Sequence, residues 1–241
     1  MKPITILQHL NSDGPAYLQA WLMQRGWPFR VFNSEAGEAF PDDLGDCGGL
    51  AILGGEMSAN DPLPSLRQAE HLFLQAVRQG VPTLGHCLGG QLMARALGAR
   101  VVASPAPEVG WQRLTVLDNA SAAHWLLSSD WTQTPRVFHW HYEAFELPAG
   151  AVPLASTAAC PVQAFCVGPH LAMQWHVELD ETKLNRWSRE DGVEFRALCK
   201  SQAATVHSGP VMRAQAVANL PRQQALARHI YSRWLGLGNS I

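Results

Sequence analysis

The stretch TLGHCLGGQLMA, residues 83 to 94, sets one cysteine, Cys87, among glycines, directly after an apolar run and before a helical pattern. A cysteine in an apolar strand is ordinarily a small buried hydrophobe. The context here offers more, because a sharp strand-to-helix turn built on glycines holds a nucleophilic side chain out above a sheet edge. Such a turn also opens a helix, where unpaired N–H groups and the helix dipole favour a thiolate. The N–H of Leu88 would then face a developing oxyanion, as acyl transfer requires of the residue after the nucleophile. A base is offered by AMQWHVELD, in which His176 and Glu178 lie two apart. On an extended segment both would share one face, with the carboxylate orienting the imidazole. An isolated His-x-Glu is more often a solvated strand edge, so it gains weight only beside an activated cysteine. Gly54 and Gly55 in AILGGEMSAND end another apolar run. They read either as an ordinary turn or, where strand ends share one crevice, as the source of a second oxyanion donor at Gly55.

Nearby residues have competing readings. His139 and His141 in HWH could be two metal ligands on one strand face, but no third ligand is evident in the sequence, which favours a wall or structural role and no metal. His86 adjoins Cys87, and adjacent side chains on a sharp turn point apart, so it reads as packing or a loop hydrogen bond rather than the base. The nine tryptophans read as core and helix-packing residues.

The elements that must position these groups alternate along the chain. ITILQH, PFRVFN, GLAILGG and VPTLGHC read as strands. Between them lie helical patterns: SDGPAYLQAWLMQRG, capped near Ser12 or Asp13 with Pro15 in the first turn, then SLRQAEHLFLQAVRQG from Ser65 to Gly80, and GQLMARALG. The second places Leu66, Ala69, Leu72, Phe73, Ala76 and Val77 on one face. Such alternation predicts a parallel sheet with helices on both faces. Residues 99 to 178 are expected to be short β-rich pieces, which would extend or edge the sheet. The tail carries two helical patterns, ETKLNRWSREDGVEFRALCK and PRQQALARHIYSRWLG, joined by a less regular segment. No repeat or interdomain linker is evident, and the 241 residues are read as one globular unit, with the chemistry in residues 45–180 and a helical extension over 180–241.

Composition narrows the function classes. A net charge of −2 with no Lys/Arg-rich run argues against nucleic acid, and no apolar run reaches membrane-spanning length. The N-terminus reads as a first core strand rather than a signal peptide. Five irregularly spaced cysteines without a CxxC pair suggest neither a disulfide framework nor a zinc ribbon, so a reducing cytoplasm is expected.

Taken together, ILGGEMSAND, GHCLGGQLMARALGARV and QWHVE resemble the class I glutamine amidotransferase family, in particular stand-alone members similar to the amidotransferase domain of GMP synthase. The resemblance implies an α/β, flavodoxin-like, mostly parallel sheet with helices on both faces. It implies a triad of Cys87, His176 and Glu178, an oxyanion hole from the backbone of Gly55 and Leu88, and substrate contacts from Gln91, Gly54 and His141. EVGWQRL and HWHYEAFELPAGA also resemble segments bordering the site. Gly90, Val177 and Glu143 depart from the family pattern, where histidine, proline and aspartate are common; none of these changes a triad residue. The implied reaction is hydrolysis of the side-chain amide of glutamine, or of a γ-glutamyl amide, through a cysteine thioester, without metal or organic cofactor. The helical stretch after Glu178 has no phosphate-cradling loop and is too short for an ATP-dependent synthetase domain, so an acceptor or synthetase subunit would be separate. Two alternatives stand beside this: a γ-glutamyl peptide or amide hydrolase using the same cysteine, and a non-enzymatic binding scaffold, against which the intact triad counts.

Overall fold

The computed structural model describes residues 1–128 and 136–237. In chain order the elements are β1 (Ile4–Gln8), α1 (Ala16–Gln24), β2 (Phe29–Asn33), β3 (Gly49–Ile52), α2 (Pro64–Gln79), β4 (Thr83–His86), α3 (Leu88–Ala96), β5 (Val101–Arg113), β6 (Thr115–Val116), α4 (Ala120–Leu126), β7 (Arg136–Phe145), β8 (Val152–Ser156), β9 (Ala164–Val167), β10 (His170–Met173), α5 (Glu181–Trp187), α6 (Val193–Ser201) and α7 (Gly209–Trp234). An eight-stranded sheet runs β2-β1-β3-β4-β10-β9-β8-β6. The pairings from β2 through β10 are parallel, and those from β10 through β6 are antiparallel. The fold is therefore the expected α/β one, a mixed and largely parallel sheet.

Alternation along the strands explains the two-sided packing. Ile4 and Ile6 of β1 and Ala51 of β3 face a cluster with Leu18, Trp21 and Leu22 of α1, Trp125 of α4 and Ile230 of α7. Leu7, Leu50 and Ile52 face the opposite cluster, with Leu66, Leu72 and Phe73 of α2 and Leu92 and Met93 of α3. Strands buried on both faces read as continuous apolar runs, which is the pattern of the parallel half.

Several expectations are corrected. β5 and β7 do not join the main sheet; they pair antiparallel as a separate ribbon, bulged between Ala103 and Glu108. α1 starts at Ala16 after Pro15 with no side-chain cap, because Asp13 is engaged elsewhere. Val77 of α2 is 37% exposed, at the margin of the apolar stripe. The first tail pattern breaks into α5 and α6 around Gly192, and the segment expected to be irregular is so only up to Ser208, its second half being the start of α7, whose 26 residues run through Pro221. Packing of Met212, Ala216, Leu226 and Ile230 against the ribbon and sheet overrides the local proline signal.

Candidate active site

Three strand ends converge. β4 lies between β3 and β10, and all three run parallel. Gly54 and Gly55 follow β3, Cys87 follows β4 and His176 follows β10, so the three sequence motifs leave the sheet at one edge, in the crevice where open parallel sheets place ligands.

Cys87 is the only residue between β4 and α3. Its backbone is held at φ 47°, ψ −110°, a conformation that L-residues enter only when the surroundings impose it. Its N–H donates to the Met173 carbonyl at 2.8 Å. The glycines make this turn possible: a Cβ on Gly85 would meet Met93 Sδ at 2.5 Å and Gly90 N at 2.7 Å, and one on Gly89 would overlap the Ile52 carbonyl. Leu88 is the first residue of α3, where a backbone N–H has no partner within the helix.

His176 is fixed through its main chain. Its N–H donates to the Phe138 carbonyl of β7 at 2.8 Å, and its carbonyl accepts from Gln223 Nε2 of α7 at 3.0 Å. The same Gln223 accepts the Phe138 N–H at 2.6 Å. Glu178 Oε1 lies 2.8 Å from His176 Nδ1. The two are not on an extended segment, as the spacing suggested; they sit in a turn closed by Leu179 N–H on the His176 carbonyl at 3.2 Å. Val177 between them is buried in the same core cluster as α1, α4 and α7.

Electrostatics couple these groups. Burial disfavours a charged His176, but the Glu178 carboxylate, then the hydrogen bond and charge of Cys87, outweigh it and lift the imidazole pKa to about 10. Burial also opposes ionisation of Glu178, yet Lys183, His176 and His86 hold its carboxyl well below the usual range. Cys87 Sγ also approaches the Trp140 carbonyl at 3.6 Å.

A second layer was not foreseen from the sequence. Lys183 of α5 donates to Glu178 Oε1 at 3.0 Å and to Asp13 Oδ1 at 2.6 Å, with all three side chains buried. Against the cost of burial, Asp13 and then Glu178 raise the Lys183 pKa. Asp13, His176 and Glu178 are close enough to hold a cation, and the Lys183 ammonium supplies that charge. Trp187 meets the His176 ring edge-on at 4.7 Å. The sequence signal was faint, since Asp13 resembled a helix cap and Lys183 was one residue of a helical pattern in the tail. His86, 4.0 Å from Glu178 Oε2, is fully buried and its pKa is lowered, first by burial; it packs behind Glu178.

His139 and His141 do meet a third group, Glu108 of β5, with which they could hold a metal ion. Glu108 Oε2 is also bonded by Thr157 Oγ1 at 3.0 Å and by Gln163 Nε2, and faces His141 Nε2 at 3.2 Å. These bonds fix the rim strand β7 next to the site. His141 Nδ1 lies 3.1 Å from the Glu143 carbonyl, which also accepts from Gln91 Nε2 at 3.0 Å and Gln174 Nε2 at 2.8 Å.

Cys87 and His176 open into a crevice of about 1220 Å³. Gly55, Gln91, His141 and Glu143 line one side, and Trp187, Glu190 and Phe195 another. Gly54 lies beneath, where a Cβ would collide with Asp13 and meet His176 Cε1 at 2.8 Å. Gly55 is as tight, with Met57 Sδ at 2.6 Å and Leu88 Cδ2 at 2.8 Å from its missing Cβ.

Fold and site together define an α/β protein with an elbow cysteine facing a His–Glu pair. Residues 18–191 match the model of the glutamine amidotransferase class-I family, and the chain belongs to that family. It is similar to the glutamine amidotransferase-like protein YfeJ of Salmonella typhimurium, 34% identical over 169 residues, covering 68% of this chain and 70% of that protein. Over 109 residues it is 38% identical to the glutamine-hydrolysing GMP synthase of Aeropyrum pernix, a match covering 44% of this chain and only 20% of the synthase. The crystal structure of a glutamine amidotransferase from Methylobacillus flagellatus superposes with a TM-score of 0.86 at 31% identity, over 100% of this chain and 98% of that one. Among the described residues, no helix is long and apolar enough to cross a membrane.

Proposed function

We propose that the protein hydrolyses the side-chain amide of glutamine through a thioester on Cys87. The observation that carries this reading is the buried His176, bound to Glu178 at 2.8 Å on one ring nitrogen and lining the same crevice as the strained Cys87. In this reading His176 and the α3 N-terminus stabilise the Cys87 thiolate. The sulfur attacks the amide carbon, forming a C–S bond, while the N–H groups of Leu88 and Gly55 hold the oxyanion. Protonation of the leaving nitrogen by His176 breaks the C–N bond and releases ammonia. The imidazole then takes a proton from water, whose oxygen attacks the thioester carbonyl, and glutamate leaves with Cys87 restored. Glu178 keeps the His176 tautomer and orientation throughout, and Gln91, Gly54 and His141 shape the γ-glutamyl side. No step calls for a metal or organic cofactor. Where the ammonia is transferred, the acceptor would belong to a synthetase, a role suggested by the relatives named GMP synthase.

The test is release of ammonia and glutamate from L-glutamine by the purified protein, with a γ-glutamyl group trapped on the Cys87 peptide by rapid acid quench. Loss of both signals in Cys87→Ala is expected. Turnover that survives that substitution, or an adduct on another cysteine, would refute the reading.

A further inference from the structure

In amide hydrolysis by this triad the leaving nitrogen must face the ring nitrogen of His176 that is not held by Glu178. Whatever that nitrogen carries therefore extends on the His176 side of the crevice. There the chain builds an aromatic wall from three elements. The His176 ring meets Trp187 at the end of α5 at 4.7 Å, Trp187 meets Trp140 of β7 edge-on at 5.8 Å, and Trp140 stacks on Phe195 of α6 at 5.6 Å with 13° between planes. All four line the crevice. In glutamine the nitrogen carries only hydrogen, for which such a wall has no use. At about 1220 Å³ the crevice also exceeds the ~300–1000 Å³ typical of pockets for drug-sized ligands.

On the hydrolytic reading above, we propose that the preferred substrates are γ-glutamyl amides whose nitrogen bears an apolar or aromatic substituent, seated against Trp187, Trp140 and Phe195. The substituent carries no carboxylate. Exposed Glu190 and Glu194 flank this wall and would repel one, two negative charges against the one guanidinium, Arg186, which also lines the crevice and donates to the Asn11 carbonyl at 3.2 Å. Attack by Cys87 forms the same γ-glutamyl thioester; the C–N bond breaks as His176 protonates the nitrogen, and a primary amine leaves in place of ammonia.

The experiment compares kcat/KM of the purified protein for L-glutamine, γ-L-glutamyl-benzylamide and γ-L-glutamyl-L-phenylalanine. The last two present the same ring and differ by one carboxylate. Benzylamide is expected to lead glutamine by about tenfold or more, the scale on which an apolar pocket discriminates, and to lead the dipeptide. Phe195→Ala should lower the benzylamide-to-glutamine ratio. Should that variant fold poorly, Glu194→Lys at the exposed rim provides the second measurement, raising the dipeptide relative to benzylamide. Hydrolysis of glutamine with both amides inert, or ratios that neither variant moves, overturns the amide preference and leaves glutamine hydrolysis standing. No turnover of any of the three substrates by unmodified protein whose Cys87 still reacts with iodoacetamide in a parallel sample overturns both.

Discussion

Cys87 sits in a backbone conformation that costs free energy, next to an imidazole whose pKa is raised to about 10. Both features are wasted on a packing residue, and both are what the proposed nucleophile requires. The other four cysteines lack such a partner; burial pushes the Cys160 thiol up to about 11, and Cys166 and Cys199 also rise, chiefly through burial. Iodoacetamide at pH 7 should therefore label Cys87 first, as peptide mapping would report; equal labelling across the five would contradict the pairing with His176. Lys183 makes a sharper prediction. Without its ammonium, Asp13 and Glu178 become two buried carboxylates beside one imidazole, a site where one acid takes up a proton. Lys183→Met should lower kcat at neutral pH, by ~10²-fold or more if Glu178 no longer orients His176. It should also change the pH profile of Cys87 alkylation, while Lys183→Arg recovers part of both. A purely structural salt bridge would lower the melting temperature and leave the alkylation profile in place.

At the scale of elements, what positions the site is sequence-distant. The motif glycines were legible because an elbow has local requirements: no side chain fits at Gly89 against the Ile52 carbonyl, and the residue types announce that. Gln223 announced nothing. It lies in the middle of α7 at 0% exposure and joins the main chains of Phe138 and His176, a contact that only the packed fold creates. Local propensity even pointed away from it, since Pro221 lies two residues before. The β5–β7 ribbon was hidden for a similar reason, because period-two alternation does not say which sheet a strand joins. Gln223→Leu should leave the buried Phe138 N–H without this partner, at about 1–3 kcal/mol, and the His176 carbonyl with only the Leu179 N–H. His176 would lose its tie to α7 and keep only its N–H bond to the Phe138 carbonyl and the turn bond from Leu179, so kcat is expected to fall at least tenfold with KM little changed. Steady-state kinetics and urea unfolding on the same preparation check this; a stability loss with unchanged kcat would show that β10 alone places the base.

Over the whole molecule, buried histidines of two opposite electrostatic kinds occur, and pH should separate them. His176 is held charged by its neighbours. His9, His86 and His139 are buried with lowered pKa values, burial being the largest cause in each, and that of His9 falls to about 4. For a base whose folded pKa is depressed, the unfolded chain binds the proton first as pH drops. Stability from these three is therefore complete above their unfolded pKa near 6.5 and is lost as pH falls from there toward the folded values. Each removes about 1.4 kcal/mol per pH unit over that window. His176 has the opposite sign: its contribution is full below 6.5 and is lost only as pH rises through about 10, so it does not offset the acid-side loss. Urea midpoints measured at intervals from pH 7.5 to 5 should fall steeply below 6.5, with His9→Asn flattening the slope by one histidine's share whatever its effect on absolute stability. A midpoint that stays level across this range would mean that the interior admits protons to these rings without unfolding.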